Sequence, residues 1–299
     1  MNNKTKKLTL FLAFLLTFIL SMTPVLSVSA AKNTAPIPTT KSVPRLMING
    51  YYVVYTHPVA PYMDKKSRLM IPLEAIAEML GMEYSFDKKE KSMTVSRDNK
   101  TLTFYAGKEQ YKVGTEMLDW DAEPALQKGT YYVPLRLLIN MFQLDVSNKN
   151  GLIAIQDEKA FTTGRYTYIL DDDRFGIQRS TNNNAIQPTS FQFSGSRDIK
   201  GNPNKWWRYN IQFEIKNISG KNIVADEEDF HPIYFYTEGF QFHNDDPLWI
   251  KKWKNKDRKR YAMGKDKTIK VKEKIEQADK GQLEVVLAIG RTLEPYIIK

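Results

Sequence analysis

Leu73, Ile76, Ala77 and Leu80 take the i, i+3, i+4, i+7 spacing of one helix face, and Leu135, Leu138, Ile139 and Phe142 repeat it 62 positions later. The residues before each stripe match as well. Met70-Ile71-Pro72-Leu73-Glu74 aligns with Tyr132-Val133-Pro134-Leu135-Arg136, a short apolar run that meets Pro-Leu and a charged residue. A strand that hands over to a helix fits both, with proline at the first helical position, where its missing N–H is no loss. Gly81 is placed to end the first helix in a left-handed cap, whereas the second has Gln143 there and should end less sharply. The flanks repeat too: LMING and QYKVG stand before the corners, and EYSFD…SMTVS and LDVSN…LIAIQ follow them. With TLTFYAG (101–107) as a strand between the units, the pattern predicts an α+β domain over 43–160, a strand-helix-hairpin module present twice, with two helices on an antiparallel sheet. Each copy has too little apolar surface to fold alone.

After Phe161 the period changes to two. Trp207, Tyr209, Ile211, Phe213 and Ile215 alternate with Arg208, Asn210, Gln212 and Glu214, which is the pattern of a half-buried antiparallel strand. SFQFSG, IYFYTEGFQF, TIKVKEKI, LEVVLAIG and PYIIK read as further strands, NISGKNI as a turn, and the polar stretch 171–184 as a long loop. An all-β domain of immunoglobulin-like sandwich type is expected over 161–299.

The N-terminus changes the picture of where the protein works. Lys4, Lys6 and Lys7 precede an apolar run from Leu8 to Leu20, and small residues follow at Val28-Ser29-Ala30. Residues 1–30 are expected to be a secretory signal peptide, so no transmembrane segment remains after cleavage. Residues 31–42, rich in Pro, Thr, Ala and Lys, read as a flexible linker. There is no cysteine, which for an exported chain points to a Gram-positive type of bacterial envelope and to cores that hold without disulfides. The net charge is +10; residues 1–30 hold three lysines and no acid, so 31–299 carries +7. Outside a bacterium the abundant polyanions are teichoic acids and phospholipid head groups, so an anionic polymer is the expected partner and nucleic acid is not.

The φ-x-N-G opening (MING), MIPLEAIAEMLGMEYSFD and YYVPLRLLINMF together resemble the copper amine oxidase N-terminal domain, over about 43–157. The resemblance implies a stalk-like appendage of exported proteins that is remote from oxidase chemistry. The arginine usual after Pro-Leu is Glu74 in the first copy, so any role it has in the family falls to Arg136 alone. The oxidase itself needs a tyrosine in Asn-Tyr-Asp/Glu, which is absent, and three copper-binding histidines; the chain has three histidines in all, and one, His57, lies in the stalk-like part.

Several groups invite a chemical reading. Arg136 at the corner either meets an anion or pairs within its own domain. His231 and His243, with Asp245 and Asp246, offer metal-ligand types without a recognised spacing. Asp171 to Asp173 lacks the spaced oxygen ligands and distal glutamate of a calcium hand. Glu227, Glu228 and Asp229 sit together in an expected turn, where neighbouring acids point apart. No nucleophile elbow, His-Glu-x-x-His, phosphate loop or cysteine nucleophile occurs. The densest feature is WIKKWKNKDRKRY: seven of the ten residues from Lys251 to Arg260 are basic. Trp249, Lys251, Lys252, Trp253, Lys254, Lys256, Arg258, Lys259 and Arg260 form the candidate site for polyanion or wall binding; the alternative is a solvated edge whose lysines block strand addition. The expectation is an exported, secreted or wall-associated, non-enzymatic protein without cofactor, which binds cell-wall anionic polymer or an envelope protein. The alternatives are a metal-dependent hydrolase or metal-binding protein with its site in the β domain, and a secreted protein-binding inhibitor or chaperone.

Overall fold

A computed structural model describes residues 37–293, except 57–58, 121, 172–179, 183, 198–205, 225–227, 238, 243–261 and 279–281. The chain opens with strands β1 (Ile37–Ser42), β2 (Leu46–Ile48), β3 (Tyr51–Tyr55), β4 (Tyr62–Met63) and β5 (Leu69–Pro72), then helix α1 (Leu73–Met79). Strands β6 (Glu83–Asp87), β7 (Ser92–Arg97), β8 (Lys100–Tyr105), β9 (Gln110–Val113), β10 (Glu116–Asp119), β11 (Ala125–Gln127) and β12 (Thr130–Pro134) lead to helix α2 (Leu135–Phe142). The hairpin β13 (Asp145–Lys149) and β14 (Leu152–Gln156) follows, then a 3-10 turn (Gly164–Thr167) and the single turn α3 (Tyr168–Asp171). The rest is strand: β15 (Ser180–Asn182), β16 (Ile186–Arg197), β17 (Trp206–Asn217), β18 (Glu228–Tyr236), β19 (Gly239–Phe242), β20 (Thr268–Ala278) and β21 (Leu283–Leu293).

Both corners form where the pattern placed them, with the same backbone. Pro72 (φ −68°, ψ 111°) and Pro134 (φ −63°, ψ 123°) are extended cap residues one step outside their helices, so each proline closes a strand instead of opening a helix. The corner strands pair with each other antiparallel, Tyr132 opposite Pro72, Val133 opposite Ile71 and Pro134 opposite Met70. Both helices also end alike. Gly81 has φ +65°, and Gln143 takes φ +53° in spite of its side chain. The N–H groups of Met82 and Leu144 then close on the carbonyls of Ala77 and Ile139, the six-to-one bond of a left-handed cap. The less sharp end expected at Gln143 is therefore not seen. The opening hairpin turns on Asn49-Gly50, where φ values of 46° and 86° give the type I′ turn that matches strand twist.

The strands form four sheets, in the orders β1-β16-β17-β20, β10-β9-β8-β7-β6, β11-β12-β5-β4 and β13-β14-β2-β3-β21-β18-β19, with β15 also on β21. The fold is sheet-rich, with two main helices. The last of these sheets is the middle layer. On one face, Val53, Tyr55, Ile233, Phe235, Val285, Leu287 and Ile289 share a core with α1 and α2. On the other, Val54, Phe230, Tyr234, Tyr236, Val286 and Ala288 pack against Phe191, Phe193, Tyr209, Ile211, Phe213 and Ile215 of the outer sheet. Each large apolar side chain so buried contributes about 1.5–3 kcal/mol.

The expected boundary at 160/161 is crossed by strand pairing, since β3 lies beside β21 with Tyr55 opposite Val285 and Val53 opposite Leu287. Residues 37–42, expected within a flexible linker, form β1 and pair with β16. Two expected connections are also partly regular: β15 lies inside the loop expected at 171–184, and Glu228 and Asp229 begin β18 instead of sitting in a turn. No helix of the described residues is long and apolar enough to cross a membrane.

Candidate functional site

The charged corner residues are occupied within the fold. The Arg136 guanidinium lies over the Trp120 ring, 5.3 Å from its centre. Glu74 Oε1 accepts a hydrogen bond from the Tyr84 hydroxyl at 2.9 Å. The corner positions a helix, and its two opposite charges each serve a neighbour, as the architectural reading of the repeat requires.

The strongest ionic arrangement arises in the connector after the second hairpin. Arg165, in the 3-10 turn, places Nη1 2.5 Å from Glu284 Oε2 of β21. Its Nε is 3.3 Å from Glu78 Oε2 of α1, an ion-pair distance without hydrogen-bond geometry. The same guanidinium donates to the Tyr236 carbonyl at 3.1 Å and the Tyr166 hydroxyl at 3.2 Å, while the Arg165 backbone N–H donates to Glu78 Oε1 at 2.8 Å. Tyr55 Oη donates to Glu284 Oε1 at 3.0 Å. Burial acts to lower the Arg165 pKa, but Tyr166, Glu284 and Glu78 outweigh it and hold the group above its ordinary value. Burial first, then the Glu284 charge, pushes Tyr55 far up, so its hydroxyl stays a donor.

A second cluster ties the hairpins of the module together. Arg97 of β7 grips Asp157 with two bonds, 2.6 and 3.0 Å, and donates to the Leu80 carbonyl at 2.9 Å. Asp157 exchanges backbone bonds with the Asn49 side chain at 2.7 and 2.9 Å. Both clusters bind structure to structure.

His231 is buried in β18, opposite Ile289 of β21. His243, Asp245 and Asp246 lie outside the described residues, as do Asp172 and Asp173. Among the described residues no group of three His, Asp or Glu side chains is placed to hold a metal ion. The candidate stretch Trp249 to Arg260 also falls entirely outside the described residues, whose neighbours on either side are Phe242 and Ala262.

The described surface carries a different basic feature, the solvent face of the outer sheet. Alternation puts Tyr209, Ile211, Val271 and Ile275 inward and Arg208, Asn210, Gln212, Lys270, Lys272 and Lys274 outward. Register then makes rows across the strands. Lys41, Gln192, Gln212 and Lys272 form one, and Ser194, Asn210 and Lys274 the next. Gln212 Nε2 donates to Gln192 Oε1 at 3.3 Å. On the other side stand Ser190, Glu214 and Lys270, where the Ser190 hydroxyl, 3.0 Å away, and Lys270, 3.4 Å away, hold the Glu214 carboxyl below its ordinary pKa. Apart from Lys41, the two central rows line a shallow depression of about 480 Å³, with Glu273 also in its wall. The sequence contained this face, since TIKVKEKI, expected as a strand, has lysine at every second position from 270 to 274.

Comparison with known proteins fits this geometry. The family profile of the copper amine oxidase N-terminal domain matches residues 47–155, which include both corners and both following hairpins. A protein of Brevibacillus choshinensis named "Protease inhibitor" is 24% identical over 114 residues, 38% of this chain and 34% of that protein. The match thus spans about a third of that relative's length. No solved structure matches the chain. The similarity is thus to the N-terminal domain of copper amine oxidases, over residues 47–155.

Proposed function

We propose that the protein is an exported, non-enzymatic binding protein of a Gram-positive cell envelope that contacts anionic wall polymer. The observation that carries this reading is the match of residues 47–155 to a domain whose resemblance implies an appendage apart from oxidase chemistry. The ion pairs of the described interior support it, because Arg165 and Arg97 are spent on holding elements together. The repeated corner is then architecture. The antiparallel pairing of Ile71 with Val133, positions 62 apart, is what a duplicated unit closing on its own copy would produce. The outer sheet and the β18-β21 part of the middle layer make an immunoglobulin-like sandwich in this reading.

The test is co-sedimentation of residues 31–299 with purified Gram-positive cell walls, with and without teichoic acids, over a salt series. Retention that needs the anionic polymer and falls steeply with salt is expected. Absence of retention at low salt would overturn the reading.

A second reading, a secreted inhibitor or chaperone that binds a protein partner, is favoured by the relative named "Protease inhibitor". It requires capture of a protease that survives high salt, and inhibition that follows the 1:1 complex.

A further inference from the structure

We propose that the solvent face of the sheet β1-β16-β17-β20 is a binding site for an anionic, hydroxyl-bearing polymer of the polyol-phosphate type, centred on Lys41, Gln192, Asn210, Gln212, Lys272 and Lys274. The inference rests on the envelope-binding reading and gives it a place that does not depend on the Trp249 to Arg260 stretch.

Three observations carry it. The first is charge: lysines stand at 270, 272 and 274 on one strand and at 41 on the other edge, all exposed. Alternate residues on a strand are spaced by roughly 6.5–7 Å. Lys272 and Lys274 thus form a ladder along β20, and Lys41 faces them from three strands away, across two glutamines. A linear polymer with recurrent anionic groups meets several of these cations at once, whereas a single small anion meets one. The second is the floor between the cations. Gln192, Gln212, Asn210 and Ser194 offer amide and hydroxyl donors and acceptors side by side, a chemistry that suits hydroxyls between charges and has no use for an apolar guest. The third is shape, because these residues line the depression of about 480 Å³, open along the sheet. Behind the floor, Phe193, Ile211 and Phe213 are fully packed, so the cations stand on a rigid base. Of the acidic groups nearby, Glu214 is engaged by Ser190 and Lys270, and Glu273, which also lines the depression, accepts the Tyr234 hydroxyl at 2.7 Å.

The experiment titrates the full chain with purified poly(glycerol phosphate), with neutral dextran as control, at several salt concentrations. Lys272→Gln with Lys274→Gln, both exposed, is compared with a variant in which Lys251, Lys252, Lys254 and Lys256 become Gln. The sheet variant is expected to bind about tenfold more weakly and to show a shallower dependence on salt, because fewer counterions are exchanged. Its unfolding midpoint should stay at the parent value. Binding lost only in the 251–256 variant, equal binding to dextran, or no binding of the parent chain would each overturn the assignment. Binding to poly(glycerol phosphate) without retention on whole walls would keep the assignment and remove the envelope role.

Discussion

Arg165→Met tests whether the connector welds the module to the middle sheet. The side chain is 21% exposed and faces Glu78 and Glu284, which are 18% and 14% exposed. Methionine keeps the aliphatic volume and removes the charge, and with it the 2.5 Å ion pair to Glu284 and the bonds to the Tyr236 carbonyl and Tyr166 hydroxyl. Two partly buried carboxylates then remain with no cation between them. Loss of one partner of a buried pair costs about 3–5 kcal/mol; the residual exposure places this site near 3. For a body of this size that is a fall in Tm of roughly 6–12 °C. The assay is urea unfolding followed by circular dichroism and by tryptophan fluorescence. The two signals should move together, since β3 and β21 are neighbours in one sheet. Addition of Glu78→Gln and Glu284→Gln to Arg165→Met should regain most of the loss, because the penalty comes from stranded charge. A loss under about 1 kcal/mol, the size of an exposed ion pair, or no regain in the triple variant, would refute the reasoning.

Three further outcomes follow from local geometry. Gly81→Ala puts a Cβ 2.5 Å from the Lys159 carbonyl oxygen at φ +65°, and urea unfolding should show a loss of about 2 kcal/mol or more. Gln143→Gly relieves a left-handed residue at φ +53° and should raise the unfolding free energy read from urea titration by about 0.5 kcal/mol, the left-handed cost less the added chain entropy. Asp64 accepts the backbone N–H groups of Lys66 and Arg68 at 2.9 Å each, and the Arg68 guanidinium at 2.6 and 2.5 Å. Burial acts to raise its pKa, but these bonds outweigh it and hold the carboxyl below its ordinary value. Its stabilisation is therefore present above the unfolded value of about 4 and lost as pH falls through the folded one. Asp64→Asn should lower stability by about 1 kcal/mol at pH 7 and flatten part of the fall between pH 4 and 2, read from urea midpoints across that range.

What the sequence displayed were the features whose partners are close in the chain. The stripes at Leu73 and Leu135, the left-handed Gly81 and the alternation of β17 each need only their own neighbours, and each stands as read. Helix α1 is less one-sided than its stripe, with Ala75 and Met79 buried as well, because Phe161 donates to the Met79 carbonyl and the segment behind it covers the second face. Nothing local marks that cover. Arg165, Glu78 and Glu284 went unnoticed for the same reason, since the residues that meet in space are 87 and 119 positions apart in sequence.

The strand pairing across 160/161 is different, because a local signal for it existed. A strand that is half-buried alternates; LEVVLAIG does not, and Leu283, Val285, Val286, Leu287, Ala288 and Ile289 are all buried. A continuous apolar run marks a strand covered on both faces. The all-β segment supplies one cover, the outer sheet, so the other must come from the module, whose helices α1 and α2 lie on that side. The same logic applies to YYVVY, where all five residues are buried. Two strands whose apolar residues are buried on both faces, one in each half of the chain, each need a neighbour of the same kind, and each is the other's. The module and the β segment are therefore halves of one core, and any function exercised by the outer sheet is held in place by residues of the module.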